Sequence, residues 1–397
     1  DLIYVKPTPY SWNSYSNKPK KSRYKKDIQN QIDFVKGLIT SGDNNNFTAG
    51  INVLENIDDI NVFIGSTINI IYIESNGGLV CNYNYEHNKL AFIKLLNLYK
   101  RRNLDFKNFK IDRIKQLTIH VPEKKDELFD ELLIFKNLTE LKLFDVDSTD
   151  CFKLDVFSQI EKLTISSSTF LDFNISNEIL PKLKSIGFRS CEIDKITFTN
   201  CKSLINIRST GSGYYNRRNE RSIVKYFRVV NCPKLNEIQL LTKYHELSYF
   251  EITNTPNMNF LNLNGNLNLC KLEVNSTQYL KKIILKESCL TTLPQFIKES
   301  KLCEFLDLED NKLNEDSTDF KGLTNLLDLN LNGNKFTTAP ASIFDLKKLK
   351  SLAIARQIKT IDHNIKNLKQ LKNIYLGWND NTLRKHYFLL KNLKDIR

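Results

Sequence analysis

The sequence has few of the residues that mark several common protein classes. Its 397 residues include 13 glycines, 9 prolines, 2 tryptophans and 1 methionine, which excludes collagen-like and proline-rich fibrous proteins. It contains no run of about 18 apolar residues, so no transmembrane helix is expected. The apolar fraction of 41% excludes a wholly disordered chain and predicts a sizeable core.

The sequence also lacks the usual marks of an active site or a metal site. Its five histidines are scattered and form no HxxxH or HExxH pattern. The sequence has no GxxxxGK(S/T), GxSxG or dinucleotide-binding glycine motif, and none of its eight cysteines forms a CxxC pair. We therefore expect no catalytic residue, no metal and no cofactor, and we expect the chain to act by binding.

The basic charge comes mainly from lysine. The formal net charge is +13, with 45 Lys against 13 Arg, and the chain also has 46 Asn but only 6 Ala. This bias is typical of AT-rich coding DNA. The charge therefore fits two interpretations equally, a solvated exterior or an anionic partner.

A repeat of about 23 residues organises two thirds of the chain. Residues 303–313 and 326–336 both fit LxxLxLxxNxL, and the same register extends back through the sequence. The first positions are Ile114, Leu138, Ile160, Leu183, Leu204, Leu235, Met258, Leu280, Cys303, Leu326, Leu349 and Leu371. This pattern resembles the leucine-rich-repeat superfamily.

The resemblance implies an α/β fold, a leucine-rich-repeat solenoid behind a small α+β N-terminal region. The solenoid would be a curved horseshoe with a parallel concave sheet of about twelve strands. Repeat positions 1, 4 and 6 are expected to face the core, and Asn at position 9 to hydrogen-bond neighbouring coils. The last four repeats resemble the typical 23-residue class, whose convex segments are helical or extended. Residues 198–207, 229–238 and 252–258 resemble the Treponema/BspA-like class, whose convex side carries short strands.

The repeat boundaries divide the chain into four predicted segments. These are a basic flexible arm (1–26), an α+β cap or accessory domain (27–110), the repeats (111–379) and a helical C-terminal cap (380–397). In the second segment, apolar spacing predicts helices over 28–39 and 90–99, with a β-hairpin over 68–83 between them.

The cysteines follow the repeat. Cys201 and Cys232 both lie three residues before a first position, Cys191 occupies a ninth position and Cys303 a first position. Such positions predict buried thiols rather than disulfides, which favours a reducing compartment and therefore the cytoplasm. A secreted or cell-surface location is the alternative.

The leading functional hypothesis is a non-enzymatic scaffold that binds a protein partner. Arrays of the family commonly use the concave sheet for recognition, and positions 2, 3, 5, 7 and 8 of each repeat are expected to face solvent there. Exposed aromatic residues beside charged ones predict an interface. The candidate partner-binding residues are Phe260, Ile284, Phe305, Asp307, Glu309, Asp310, Tyr375 and Trp378.

An irregular spacing of 31 residues between Leu204 and Leu235 marks an insertion. Its candidate anion-binding residues are Arg208, Tyr214, Tyr215, Arg217, Arg218 and Arg221. In residues 18–26, six of the nine residues are Lys or Arg. Together the two segments raise a second hypothesis, docking on nucleic acid, a ribonucleoprotein or an acidic membrane. A third hypothesis is a secreted or cell-surface adhesin.

Overall fold

The structure is a computed structural model that describes most of the repeat array. The described ranges are 111–121, 130–148, 154–210, 223–241, 247–266, 271–275, 278–354, 358, 362–376 and 395–396, with shorter runs between 30 and 101. The chain forms two compact units, Asp1–Asp145 and Val146–Arg397. In the described part of the chain, no helix is long and apolar enough to cross a bilayer.

The first unit contains four described strands. Strands β1 (Ile71–Ile73) and β2 (Leu79–Cys81) pair antiparallel, which confirms the predicted hairpin. Strands β3 (Gln116–His120) and β4 (Glu140–Phe144) pair in parallel and belong to the first two repeats. Within the two predicted helices, Val35, Ile93 and Leu96 are helical and buried.

The second unit contains the remaining strands. In chain order these are β5 (Asp147–Ser148), β6 (Lys162–Ser166), β7 (Thr169–Ser176), β8 (Ser185–Arg189), β9 (Glu192–Thr199), β10 (Asn206–Thr210), β11 (Ile223–Val230), β12 (Glu237–Leu241), β13 (Tyr249–Thr253), β14 (Phe260–Asn262), β15 (Lys271–Val274), β16 (Lys282–Ile284), β17 (Phe305–Asp307), β18 (Asp328–Asn330), β19 (Ser351–Ala353), β20 (Asn373–Tyr375) and β21 (Asp395–Ile396).

These strands form two parallel sheets. The principal sheet runs β6, β8, β10, β12, β14 and then β16 to β21, and the second sheet runs β5, β7, β9, β11, β13 and β15. In every one of the twelve predicted repeats, a strand begins two residues after the predicted first position. The leucine-rich-repeat solenoid is therefore confirmed, with one strand of this kind per repeat.

The two predicted repeat classes differ on the side away from the principal sheet. From β5 to β15 each coil adds a strand to the second sheet, as the Treponema/BspA-like resemblance implies. In the later coils a short helix stands in its place. These helices are an α-helix at Gln295–Glu299 and 3₁₀ helices at Glu315–Ser317, Ala341–Asp345 and His363–Asn367.

The core lies between the principal sheet and the opposite side of each coil. Residues at positions 1, 4 and 6 are buried as predicted, for example Cys303, Leu306 and Leu308. The second sheet adds a column of phenylalanines that the repeat pattern did not predict. Its rings include Phe227 and Phe250, which stack with centroids 5.3 Å apart. Stacked rings of this kind fill the wider coils, where two strands face each other.

The cysteines lie where the repeat places them. Cys191, Cys201, Cys232 and Cys303 are all buried, and none of the four is in a disulfide bond. Cys191 takes the place of the repeat asparagine at position 9, and its thiol donates to the carbonyl of Ile165 at 3.4 Å. Burial of these thiols is therefore confirmed.

The end of the chain differs in part from the prediction. Asp395 and Ile396 form a strand that pairs with β20, so these two residues are not helical. The predicted inward residues Leu383, Tyr387, Leu390 and Leu393 lie outside the described residues. The boundaries of the four segments remain predictions.

Candidate functional site

The candidate site is the outer face of the principal sheet, the face opposite the core. Phe260, Lys282 and Phe305 lie side by side there on β14, β16 and β17, because the three strands pair in register. The Lys282 ammonium lies 5.1 Å from the centroid of the Phe260 ring and 4.8 Å from that of Phe305. The lysine therefore lies between two aromatic faces, each of which attracts a cation.

The alternation of each strand explains why these side chains face outward. In β17, Leu306 is fully buried, whereas Phe305 and Asp307 on either side of it are half-buried. Ile284 lies opposite Asp307 on the neighbouring strand and is also half-buried. We call Phe260, Lys282, Ile284 and Phe305 the aromatic patch. The structure thus brings the central part of the predicted site together.

The acidic residues next to the aromatic patch fall into two groups. Glu309 is neutralised by Lys286, whose ammonium lies 2.7 Å from the carboxylate. Asp307 and Asp328 have no Lys, Arg or His within ion-pair distance among the described residues. Burial raises the pKa of both carboxyls, the charges of Glu309 and Asp328 raise that of Asp307 further, and the charge of Lys286 lowers it. Asp307 and Asp328 are thus the half-buried carboxylates of this group that have no ion pair among the described residues.

Asp310 has a different position from the other predicted acidic residues. It is exposed in the turn after β17, with a left-handed backbone at φ 54°. Gly333 in the next coil has a left-handed φ of 67°, and a Cβ atom there would lie 3.2 Å from the Asp310 Cα, so both the backbone conformation and the close approach favour glycine. Asp310 therefore contributes to the stacking of two turns at the edge of the face.

Tyr375, one of the two C-terminal site residues, is set apart from the aromatic patch. Tyr375 is half-buried on β20, and strands β18 and β19 separate it from Phe305. Trp378 lies outside the described residues. Its part in the site remains a prediction.

Arg208, the first residue of the predicted anion site, is already bound to Glu237 within the principal sheet. Its Nε lies 3.1 Å from Oε1 of Glu237, and its Nη2 lies 3.0 Å from Oε2. The guanidinium thus forms a bidentate ion pair with one carboxylate on the neighbouring strand. The other candidates, Tyr214, Tyr215, Arg217, Arg218 and Arg221, lie outside the described residues. Anion binding by the insertion therefore remains a prediction.

A second aromatic cluster, which the sequence reasoning missed, lies on the outer face of the second sheet. The rings of Tyr226 and Tyr249 stack in parallel with centroids 4.3 Å apart. Lys195 lies over Tyr226 and Lys271 over Tyr249, at 5.9 and 5.1 Å from the ring centroids. The period-two alternation of residues 223–230 could have revealed this column.

A hydrogen-bonded carboxylate lies beside the two tyrosines. Glu251 is buried, and its side chain accepts hydrogen bonds from Arg228 Nε at 2.9 Å and from the Tyr249 hydroxyl at 2.7 Å. Thr253 donates a third at 3.2 Å. Burial alone would raise the pKa of Glu251, but these donors lower it overall. The network satisfies its own polar groups, so we assign it a structural role.

The described residues provide no metal centre. Among them, no group of three or more His, Cys, Asp or Glu side chains is placed to hold a metal ion. The candidate site therefore consists of aromatic, aliphatic and charged side chains on a sheet, an arrangement suited to binding a surface.

Comparison with known proteins finds similar structures but no similar sequences. No protein-family model matches the chain, and no curated protein matches it. A leucine-rich-repeat protein of Leptospira interrogans is 14% identical, over 72% of this chain and 90% of its own, with a TM-score of 0.34. An internalin from Listeria monocytogenes is 15% identical, over 72% and 81%, with a TM-score of 0.40. TLR13 in complex with ssRNA13 is 16% identical, over 75% and 48%, with a TM-score of 0.42.

Proposed function

We propose that the chain is a non-enzymatic protein-interaction scaffold that binds its partner through the aromatic patch. The observation that supports this function is the pair of half-buried rings, Phe260 and Phe305, on either side of Lys282 on the outer face. Large aromatic side chains at a surface carry much of the binding energy in protein interfaces. A folded chain leaves them exposed at a cost unless another surface covers them.

The sheet beneath the aromatic patch favours binding by holding it rigid. Each of β14, β16 and β17 is hydrogen-bonded to a strand on both sides. The rings and the ammonium also restrain one another through the cation–π contacts. Side chains that are ordered before binding lose less conformational entropy when the partner arrives. The surroundings are polar and charged, as in the rim of a typical interface.

The test is affinity capture from native extract of the source organism. The immobilised full chain is exposed to extract at about 50 and about 300 mM salt, and bound proteins are identified by mass spectrometry. We expect a set of proteins retained at the higher salt concentration, because apolar contacts are not screened. The Phe260→Ala, Phe305→Ala double variant should lose this set.

A matched control distinguishes binding at the aromatic patch from non-specific binding to exposed aromatic side chains. Tyr279 is 50% exposed, precedes β16 and lies outside the principal sheet, so Tyr279→Ala removes an exposed ring elsewhere. It should retain the captured proteins. Circular dichroism and the thermal midpoint show that each variant is folded. If the double variant, folded, captures the same proteins as the original chain, the proposed function is wrong.

A further inference from the structure

The outer face of strands β16 to β18 is acidic although the chain as a whole is basic. At repeat positions 2, 3, 5, 7 and 8 of these three coils, three lysines stand against six carboxylates, whereas the whole chain has a net charge of +13. The residues are Lys281, Lys282, Lys286, Glu287, Glu304, Asp307, Glu309, Asp310 and Asp328. A surface of this charge attracts a cationic partner and repels nucleic acid.

The unbalanced charge is concentrated at Asp307 and Asp328. Lys286 is engaged by Glu309 at 2.7 Å, and the ammonium of Lys282 lies over the two phenylalanine rings. Asp307 accepts a hydrogen bond from the backbone N–H of Glu309 at 3.1 Å, and Asp328 accepts one from the Ser351 side chain, so neither charge is balanced by an ion pair among the described residues. Half-buried carboxylates have lost part of their hydration. The electrostatic attraction between such a carboxylate and a partner's cation is therefore stronger than at a fully exposed site.

The aromatic patch adds a second feature suited to a cation. Phe305 lies directly opposite Asp328 on the adjacent strand, and Asp307 lies two residues farther along on the same face of β17. Lys282 already places an ammonium over the Phe305 ring at 4.8 Å. An aromatic face next to two carboxylates suits a guanidinium, which stacks on rings and binds carboxylates with two parallel hydrogen bonds.

We propose that the partner is a protein with a linear basic segment, one arginine of which is bound by Asp307 and Asp328 beside the Phe305 ring. This inference rests on the proposed function, because it specifies the chemistry of the partner that the same face binds. It assigns Asp307 and Asp328 the role of partner recognition. The apolar groups Phe260 and Ile284 provide the adjoining contact.

The probe is a library of random linear peptides displayed on phage and selected on the immobilised full chain. We expect the selected peptides to be enriched in arginine next to an aromatic or aliphatic residue. The best peptide is then synthesised twice, once with arginine and once with citrulline, which keeps the shape but removes the charge. Citrulline should weaken binding roughly tenfold or more, as expected for a charged hydrogen-bonded pair.

The variant that tests the same contact from the other side is Asp307→Asn, Asp328→Asn. It removes both charges and replaces one acceptor oxygen of each side chain by an NH2 donor, but keeps the size of the side chains. It should bind the arginine peptide roughly tenfold more weakly and make the citrulline substitution nearly neutral. The matched control is Asp316→Asn, an exposed carboxylate in the 3₁₀ helix Glu315–Ser317, which should bind normally.

The outcomes separate this inference from the proposed function. Selected peptides without basic residues, or equal binding of the citrulline peptide, would overturn the inference, as would a library that yields no binder. If such peptides still depend on Phe260 and Phe305, the proposed function is supported. Binding that survives both the Asp→Asn and the Phe→Ala variants would overturn both proposals.

One further probe identifies a competing occupant. A peptide with the sequence of residues 18–26 is itself basic, with six Lys or Arg among nine residues. We expect it to compete, because Arg23 lies next to Tyr24, but less strongly than the selected peptide, since its other five basic residues are lysines, which do not bind a carboxylate with two parallel hydrogen bonds. If it binds as tightly as the selected peptide and depends equally on Asp307 and Asp328, the occupant is this chain's own terminus. That result would overturn the assignment to a separate partner.

Discussion

The side-chain amide of Asn311 donates a hydrogen bond to the carbonyl of Leu285 in the preceding coil, at 2.8 Å. The same amide also donates to the carbonyl of Leu308, and its oxygen accepts from the backbone N–H groups of Ser288 and Leu290. One buried side chain thus satisfies backbone groups of two coils. Asn334 repeats the arrangement one coil later.

We expect Asn311→Ala to destabilise the second unit by about 3 kcal/mol, because it leaves buried N–H and C=O groups without partners. The measurement is the urea midpoint of unfolding. Asn257→Ala is the control, since Asn257 is exposed and donates one hydrogen bond, to the carbonyl of Pro233. Equal losses in the two variants would show that the ladder adds nothing to stability.

The two kinds of phenylalanine should respond differently to truncation. Phe227 is fully buried against Phe250, whereas Phe305 is half-buried on the outer face. We expect Phe227→Ala to cost about 4 kcal/mol through lost burial and a cavity. Phe305→Ala should cost under about 1.5 kcal/mol and act on binding instead. Thermal unfolding of the two variants measures the difference, and a larger loss for Phe305→Ala would contradict the surface assignment.

The buried thiols should resist alkylation at pH 8. Burial raises the pKa of Cys191 to about 11 and that of Cys303 to about 12, so both remain protonated and shielded. Cys289 is half-exposed and serves as the reactive control. Mass spectrometry after iodoacetamide treatment should find Cys289 modified in the native chain, and Cys191 and Cys303 modified only after denaturation. Modification of the two buried thiols in the folded chain would contradict their burial.

The same thiols predict a loss of stability in alkali. Their folded-state pKa lies above the ordinary thiol value of 9.0, so the stability they contribute is fully present below pH 9. It is lost as the pH rises from 9 through about 11 for Cys191 and about 12 for Cys303, because ionisation then favours the unfolded chain. Thermal midpoints between pH 8 and pH 11 measure this slope. A Cys191→Ala, Cys303→Ala variant should show a shallower slope, and an unchanged slope would exclude these thiols as its source.

Glu251 should contribute to stability only above the acidic range. Its pKa is lowered overall by the hydrogen bonds from Arg228 and Tyr249, so its contribution is present above the ordinary carboxyl pKa and lost as the pH falls below it. We expect Glu251→Gln to reduce stability by about 1 kcal/mol at pH 7 and by less at pH 3. Glu304→Gln, at an exposed glutamate, should change little. Equal effects at both pH values would contradict the prediction.

The repeat pattern predicted the buried positions and the strand starts because both depend on sequence period alone. In the coil that begins at Cys303, the repeat register places Cys303, Leu306 and Leu308 in the core. The next coil repeats the arrangement 23 residues later. Equivalent residues of neighbouring coils must then lie side by side. For this reason the alignment of Phe260 with Phe305 was predictable, with Lys282 between them.

The ion pairs of the site could not be predicted from the repeat pattern. Glu309 looked equivalent to Asp307 in the sequence, yet Lys286 forms an ion pair with Glu309 and not with Asp307. Arg208 looked free for an anion, yet Glu237 occupies its guanidinium from a strand 29 residues away. The stack of Tyr226 on Tyr249 likewise required knowing that β11 and β13 pair.

The amino-acid sequence by itself determined the solenoid, its two repeat classes, the burial of its thiols and the row of side chains that crosses the outer face. These features follow from a periodic chain in which each coil can bury its apolar residues only against the next. The tertiary structure alone decided which charged groups are neutralised and which remain open. Ion pairs depend on the reach of side chains across neighbouring strands, and a difference of a few ångströms leaves Asp307 and Asp328 without a cation while Glu309 has one.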